Sequence, residues 1–164
     1  MKLHKCAGFS KKVKGDKKKY FSFKEAFARI NAAIKSDFYL EAITIEESII
    51  CDRLMSYLYY KNALKLNSHD VVKGKASLNN LLQQFHKICS QNISCGGVTD
   101  LYGELDAWRK MRNKCIHSIV KSYPGKPTEN INNFLEDACI AALKGKRLCR
   151  ILSNWCAKER KKAI

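Results

Sequence analysis

The stretch FYLEAITIEESIICDRLMSYLYYK, residues 38–61, carries Leu40, Ile43, Ile45, Ile49, Ile50, Leu54, Tyr57 and Leu58 at steps that return every three or four residues. That is the period of an α-helix rather than of a strand. It is the most apolar segment of the chain, so this helix is expected to lie at the centre of the core. The surroundings agree. Two prolines and eight glycines in 164 residues leave few tight turns for a sandwich or barrel of many short strands. The length is that of a single domain. With 46% apolar and 10% aromatic residues, the chain has the means to bury a core.

Working outward, Phe23, Ala26, Phe27, Ile30, Ala33 and Ile34 predict a helix over 22–36, with Ser22 and Glu25 placed as a capping box. A polar loop is expected over 62–76. Leu78, Leu81, Leu82, Phe85 and Ile88 then predict a third helix from Ser77, ended by the stretch Cys95-Gly96-Gly97. Thr99 is the expected N-cap of a fourth helix in which Leu101, Leu105, Trp108, Arg112, Cys115, Ile116 and Ile119 mark one side. Pro124-Gly125-Lys126-Pro127 stops it. A last helix is expected from about 129 to 160, with Gly145 as a kink. The fold class is therefore all-α, an up-and-down bundle of four to five helices with sequential helices antiparallel. It comprises a basic arm over 1–20 and one helical domain over 21–164.

The charge is uneven. Residues 1–20 hold eight Lys against one Asp, and residues 144–164 hold eight Lys or Arg against one Glu, a net +7 each out of +16 for the whole chain. Clustered cations of this kind suit a polyanion, nucleic acid before an acidic membrane surface, because they release condensed counterions on meeting phosphates; solvated tails are the bland alternative. No apolar stretch of about 7–15 residues follows MKLHK as a secretory signal would require, and no run of about 18 apolar residues could span a bilayer. A cytoplasmic protein with no membrane partner is expected. The eight cysteines are then reduced thiols acting as small buried hydrophobes. They contain no CxxC pair, and His86-x-x-Cys89 with Cys95 lacks a second ligand pair, so no metal and no cofactor are expected.

Phosphate-loop, HExxH and GxSxG patterns are absent, which moves the search for chemistry to the four histidines. His4 lies in the basic arm and His69 in the polar loop, where solvation is the default, and His86 is expected to be packed and hydrogen-bonded. His117 keeps different company, in the helix LDAWRKMRNKCIHS over 105–118. At 100° per residue, Asn113 and His117 stand about 40° apart on one face, whereas Arg112 and His117 are about 140° apart.

Arg112-Asn113, followed by three residues and His117, resembles the R-x(4 to 6)-H motif, polar residue after the Arg included, of the HEPN superfamily of small helical ribonucleases and toxins. The setting is similar too, a long penultimate helix in an all-α bundle preceded by a long second helix with an acidic cluster. The resemblance covers about 22–157 and rests on order and one motif. It implies a metal-independent endoribonuclease, a toxin or antiphage-defence enzyme, in which a ribose 2′-hydroxyl attacks the adjacent phosphate. It also implies a homodimer with a composite site, and an antitoxin or defence partner. Arg112, Asn113 and His117 would be catalytic. His117 would move protons, Arg112 would stabilise phosphoryl charge and Asn113 would orient one of them. Glu46, Glu47 and Asp52 are the candidates to hold Arg112 or His117 in place, ordinary surface ions being the alternative. Arg109, Lys110 and Lys114 would bind RNA. Family members silenced by tyrosine modification carry Tyr two residues after His; this chain has Ile119 there and Tyr123 further on, so that form of control is not expected. A catalytically silent RNA- or partner-binding module and a basic adaptor for an acidic protein remain the other readings.

Overall fold

The structure, a computed structural model, describes residues 16–65, 76–89, 91–118, 124–125, 127 and 130–162. Five helices make up the bundle: α1 Lys17–Lys35, α2 Tyr39–Tyr60, α3 Leu78–Ile88, α4 Leu101–Ser118 and α5 Ile131–Lys161. The all-α bundle is as the periodicity requires. Most of the arm, most of the polar loop with His69, and Ile119 and Tyr123 lie outside the described residues.

Helix α1 begins five residues before Ser22, and the capping box does not form. Asp16 is the cap instead, its Oδ1 accepting from the Lys19 backbone N–H at 3.0 Å. Ser22 donates to the Lys18 carbonyl within the helix, and Glu25 pairs with Arg29. The end of the basic arm is thus helical. Apolar periodicity could not reveal it, because the first turn is all lysine. Asp100, not Thr99, caps α4, accepting from the Gly103 N–H at 3.0 Å. Ser77 and Asn130 cap α3 and α5.

Helices α2 and α5 form the central pair. Cys149 Sγ donates to the Glu46 carbonyl and Cys156 Sγ to the Arg53 carbonyl; both pairs are 103 residues apart, so the two helices run parallel. Their facing sides bury Ile43, Ile50, Leu54, Ala142, Leu148 and Leu152. Burying each of the larger of these side chains contributes on the order of 1.5–3 kcal/mol. Helix α4 runs antiparallel to α5, fixed by Lys114–Asp137 at 2.5 Å and Lys144–Glu104 at 2.8 Å at its two ends. Helix α1 is antiparallel to α2, with Lys19 Nζ on Ser56 at 3.2 Å and Arg53 stacked 3.6 Å over Phe23. Antiparallel neighbours also describe α3 and α4. Helices α2 and α3, however, run the same way. Tyr57 meets Phe85 near the ends of both, while Cys51 lies level with Leu78 at the start of α3. The long connection over 61–77 makes this return feasible, since it can span the length of α3.

Close approach requires glycine at Gly96 and at Gly145. Gly96 and Gly97, both at positive φ, make a tight turn closed by Cys95 and Val98, and a side chain on Gly96 would meet Ile151 at 2.8 Å. Helix α5 runs through Gly145 unbroken, and close approach is the reason for a glycine there. A Cβ there would strike the Glu46 carboxylate and come within 2.6 Å of Trp108 Nε1. Gly145 is the gap that lets α2, α4 and α5 converge. Among the described residues no helix is long and apolar enough to cross a membrane.

Candidate functional site

A groove of about 900 Å³ runs along α2 between the start of α3 and the second half of α4. Its floor is Thr44, Glu47, Ser48 and Cys51; its α4 wall is Arg109, Arg112, Asn113 and His117. All three motif residues therefore border one hollow within one chain. The offset of about 140° between Arg112 and His117 is overcome by the length of the arginine, which leans toward α2.

What holds it there is Glu47. Arg112 Nη2 donates to Glu47 Oε2 in a close ion pair, and Nη1 donates to Asn113 Oδ1 at 2.7 Å. With its oxygen engaged by Arg112, Asn113 keeps its amide N–H donors for another acceptor. Arg112 Nε is buried and has no hydrogen-bond partner among the described residues. His117 is exposed in the last turn of α4, at the open end of the groove.

Of the three acids expected to support the site, only Glu47 does so. Glu46 is fully buried on the core-facing side of α2, against Trp108 and Gly145. Neither of its oxygens has a hydrogen-bond partner among the described residues. Burial pushes its carboxyl up to about 8, with the Lys146 charge opposing. One helical position, about 100°, separates a groove residue from a core residue, and adjacent acids look alike in a sequence. Asp52 turns to the α1 side, pairing with Lys19 at 2.9 Å and approaching Arg53 at 3.9 Å. The three expected RNA contacts also divide. Arg109 borders the groove, tied to Asp106 at 2.8 Å; Lys110 shares that carboxylate, and Lys114 reaches Asp137 instead. Lys110, then Arg109, hold the Asp106 carboxyl below its usual range. Neither lysine borders the groove.

Sequence reasoning missed Cys51 and the α3 wall. Cys51 faces the groove, but burial first, and then the Glu47 charge, push its thiol up to about 12, so it is no nucleophile near neutral pH. The wall formed by Ser77, Leu78 and Asn79 depends on α3 lying parallel to α2, which no local pattern encodes. His86 is exposed rather than packed, its ring stacked on Tyr102 at 4.2 Å. Among the described residues no group of three or more His, Cys, Asp or Glu side chains could hold a metal ion. Cys115, Cys149 and Cys156 are buried free thiols; Cys51, Cys89, Cys95 and Cys139 are partly buried.

No protein-family model, no curated protein and no solved structure matches the chain.

Proposed function

We propose that the chain is a metal-independent endoribonuclease of the HEPN type, acting as a toxin or in antiphage defence. The observation that carries this reading is the single groove bordered by Arg112, Asn113 and His117, in which Glu47 fixes the arginine. An RNA phosphate entering the groove reaches the Arg112 guanidinium by sharing it with Glu47 or displacing that carboxylate. The amide N–H donors of Asn113 are left for a phosphoryl oxygen, and His117 accepts or returns a proton. The 2′-hydroxyl loses its proton as its oxygen bonds to phosphorus. The 5′-oxygen leaves and is protonated, yielding a 2′,3′-cyclic phosphate and a 5′-hydroxyl. Charge grows on the phosphoryl oxygens as this happens, and Arg112 is the group placed to offset it.

In-line displacement puts the attacking and leaving oxygens on opposite sides of phosphorus, so one imidazole is poorly placed to serve both at once. A twofold dimer that brings a second His117 to the phosphate supplies the other, and C2 pairing is the commonest small assembly. Light scattering should then give a mass near twice 18.7 kDa. A catalytically silent RNA-binding module is the second reading, favoured by one observation: a carboxylate already occupies the face of Arg112 that a phosphate would take. Expressing the wild-type chain beside His117→Ala in a bacterial host decides between them. The nuclease reading expects growth arrest and RNA breakdown with the wild type alone, and RNA affinity without breakdown selects the silent module.

A further inference from the structure

A second hollow, of about 630 Å³, lies at the C-terminal end of α2, bordered by Met55, Ser56, Tyr59, Tyr60, Leu64 and Arg160 among others. Met55 also borders the groove that holds Arg112 and His117, so the two hollows adjoin at that residue. The floor they share is one face of α2: Thr44, Ser48, Cys51, Met55 and Tyr59 follow at steps of three and four, the spacing of a helical stripe. From Thr44 to Tyr59 the helix rises about 22 Å, room for at most about six nucleotides of a stacked strand.

The far end of this track is chemically unlike the first. Tyr59 is 75% exposed and Tyr60 37%, an unusual exposure for two adjacent aromatic rings that no core contact explains. Arg160 borders the same hollow and has no ion-pair partner among the described residues. Lys61 lies 5.7 Å from the Tyr60 ring. The antiparallel α1 brings its lysine-rich first turn here, with Lys19 bonded to Ser56. The parallel α5 brings Lys158, Arg160 and Lys161 of its last turn. The described ends of both basic flanks, from Lys17 onward and up to Lys162, thus reach the end of the bundle where the tyrosines stand. The nearby acids are already engaged, Asp52 with Lys19 and Glu159 with Lys162.

We infer that this end is a second binding subsite, for single-stranded RNA, in which Tyr59 and Tyr60 stack bases and Arg160 with the surrounding lysines holds phosphates several nucleotides away from the bond at His117. Exposed rings beside a cationic groove are the combination that binds single strands without reading sequence. The inference rests on the RNA reading proposed above and adds to it a second contact region and the length of the bound strand.

The experiment uses the full-length wild-type chain and fluorescein-labelled 2′-O-methyl RNAs of two and eight nucleotides, which cannot be cut because their 2′-oxygens are blocked. Anisotropy should show the longer strand bound at least about tenfold more tightly. Tyr59→Ala and Arg160→Ala should each lower affinity for the longer strand by about fivefold to a hundredfold, and Tyr59→Phe should retain it, since the ring and not the hydroxyl stacks. A 4-thiouridine in the distal half of the strand should cross-link to Tyr59 or Tyr60. Equal binding of both lengths, or a Tyr59→Ala protein that binds the longer strand as the wild type does, overturns the subsite while leaving the proposed nuclease untouched. If the wild type binds neither RNA, the RNA reading itself fails and the subsite falls with it.

Discussion

The Arg112 guanidinium on α4 is held by the Glu47 carboxylate on α2 while its other amino group fixes Asn113 Oδ1 at 2.7 Å. One acid thus aims the motif arginine and also occupies it. An incoming phosphate has to share Arg112 with Glu47 or displace it. Glu47→Gln should therefore bind RNA more tightly, by about threefold to tenfold, because a competing charge is gone. Its kcat should fall, because the arginine is no longer aimed where charge develops. Single-turnover kinetics separate the two effects. Glu47→Asp should recover part of kcat, and loss of both affinity and kcat would show that Glu47 merely stabilises the fold.

Glu46 makes the opposite kind of prediction, about stability alone. Its carboxyl is raised from the ordinary 4.5 to about 8 by burial. Between those values the native protein keeps a proton that the unfolded chain has lost. Stability contributed by this group is therefore complete below about pH 4.5 and falls as pH rises toward 8, by up to about 1.4 kcal/mol per pH unit. Glu46→Gln, which keeps shape and removes the titration, should gain on the wild type steadily between pH 5 and 8 in chemical denaturation. Parallel pH profiles for the two proteins would contradict a neutral buried Glu46.

Gly145 lies where Glu46 and Trp108 meet α5, and the Trp108 indole donates to the Ala141 carbonyl at 2.9 Å beside it. An alanine there gains helix propensity, about 1 kcal/mol, but has no room for its methyl. Gly145→Ala should still lower stability by about 1–3 kcal/mol, the usual cost of overpacking a rigid core. Combined with Glu46→Ala it should lose less than the sum of the two singles, since they share one space. Additive losses in thermal melts would place the strain elsewhere.

Lys2, Lys5, Lys11, Lys12 and Lys14 add positive charge suited to phosphate contacts. Deleting residues 1–15 should weaken RNA binding and flatten the dependence of log K on log salt, because fewer counterions are released. An unchanged slope would show that the arm does not touch RNA.

Much of the fold was legible in apolar spacing. The stripes that begin at Phe23, Leu40, Leu78 and Leu101, and the last helix expected over about 129–160, each mark a helix that the structure contains, and Leu54, Trp108 and Leu152 lie in its core. Helix ends were less legible. Asp16 and Asp100 cap through side-chain geometry, and a nearby Ser or Thr offers the same atoms to a reader of sequence. The packing reason for Gly145 was not legible because it is a carboxylate about a hundred residues away. The same long-range packing decides that Glu47 faces the groove and Glu46 the core. The motif itself stands out locally, but the groove that gathers Arg112, Asn113 and His117 depends on α2, α3 and α4 together.

Purified wild-type chain incubated with a single-stranded RNA in EDTA tests the account most directly, with the product ends analysed and His117→Ala and Arg112→Ala run alongside. Cleavage is expected in chelator, with 2′,3′-cyclic phosphate and 5′-hydroxyl ends. Each substitution should cost at least about a hundredfold, with the double mutant little worse than either single. Undiminished cleavage by His117→Ala at unchanged helical content, or cleavage that stops in EDTA and returns with magnesium, would contradict it.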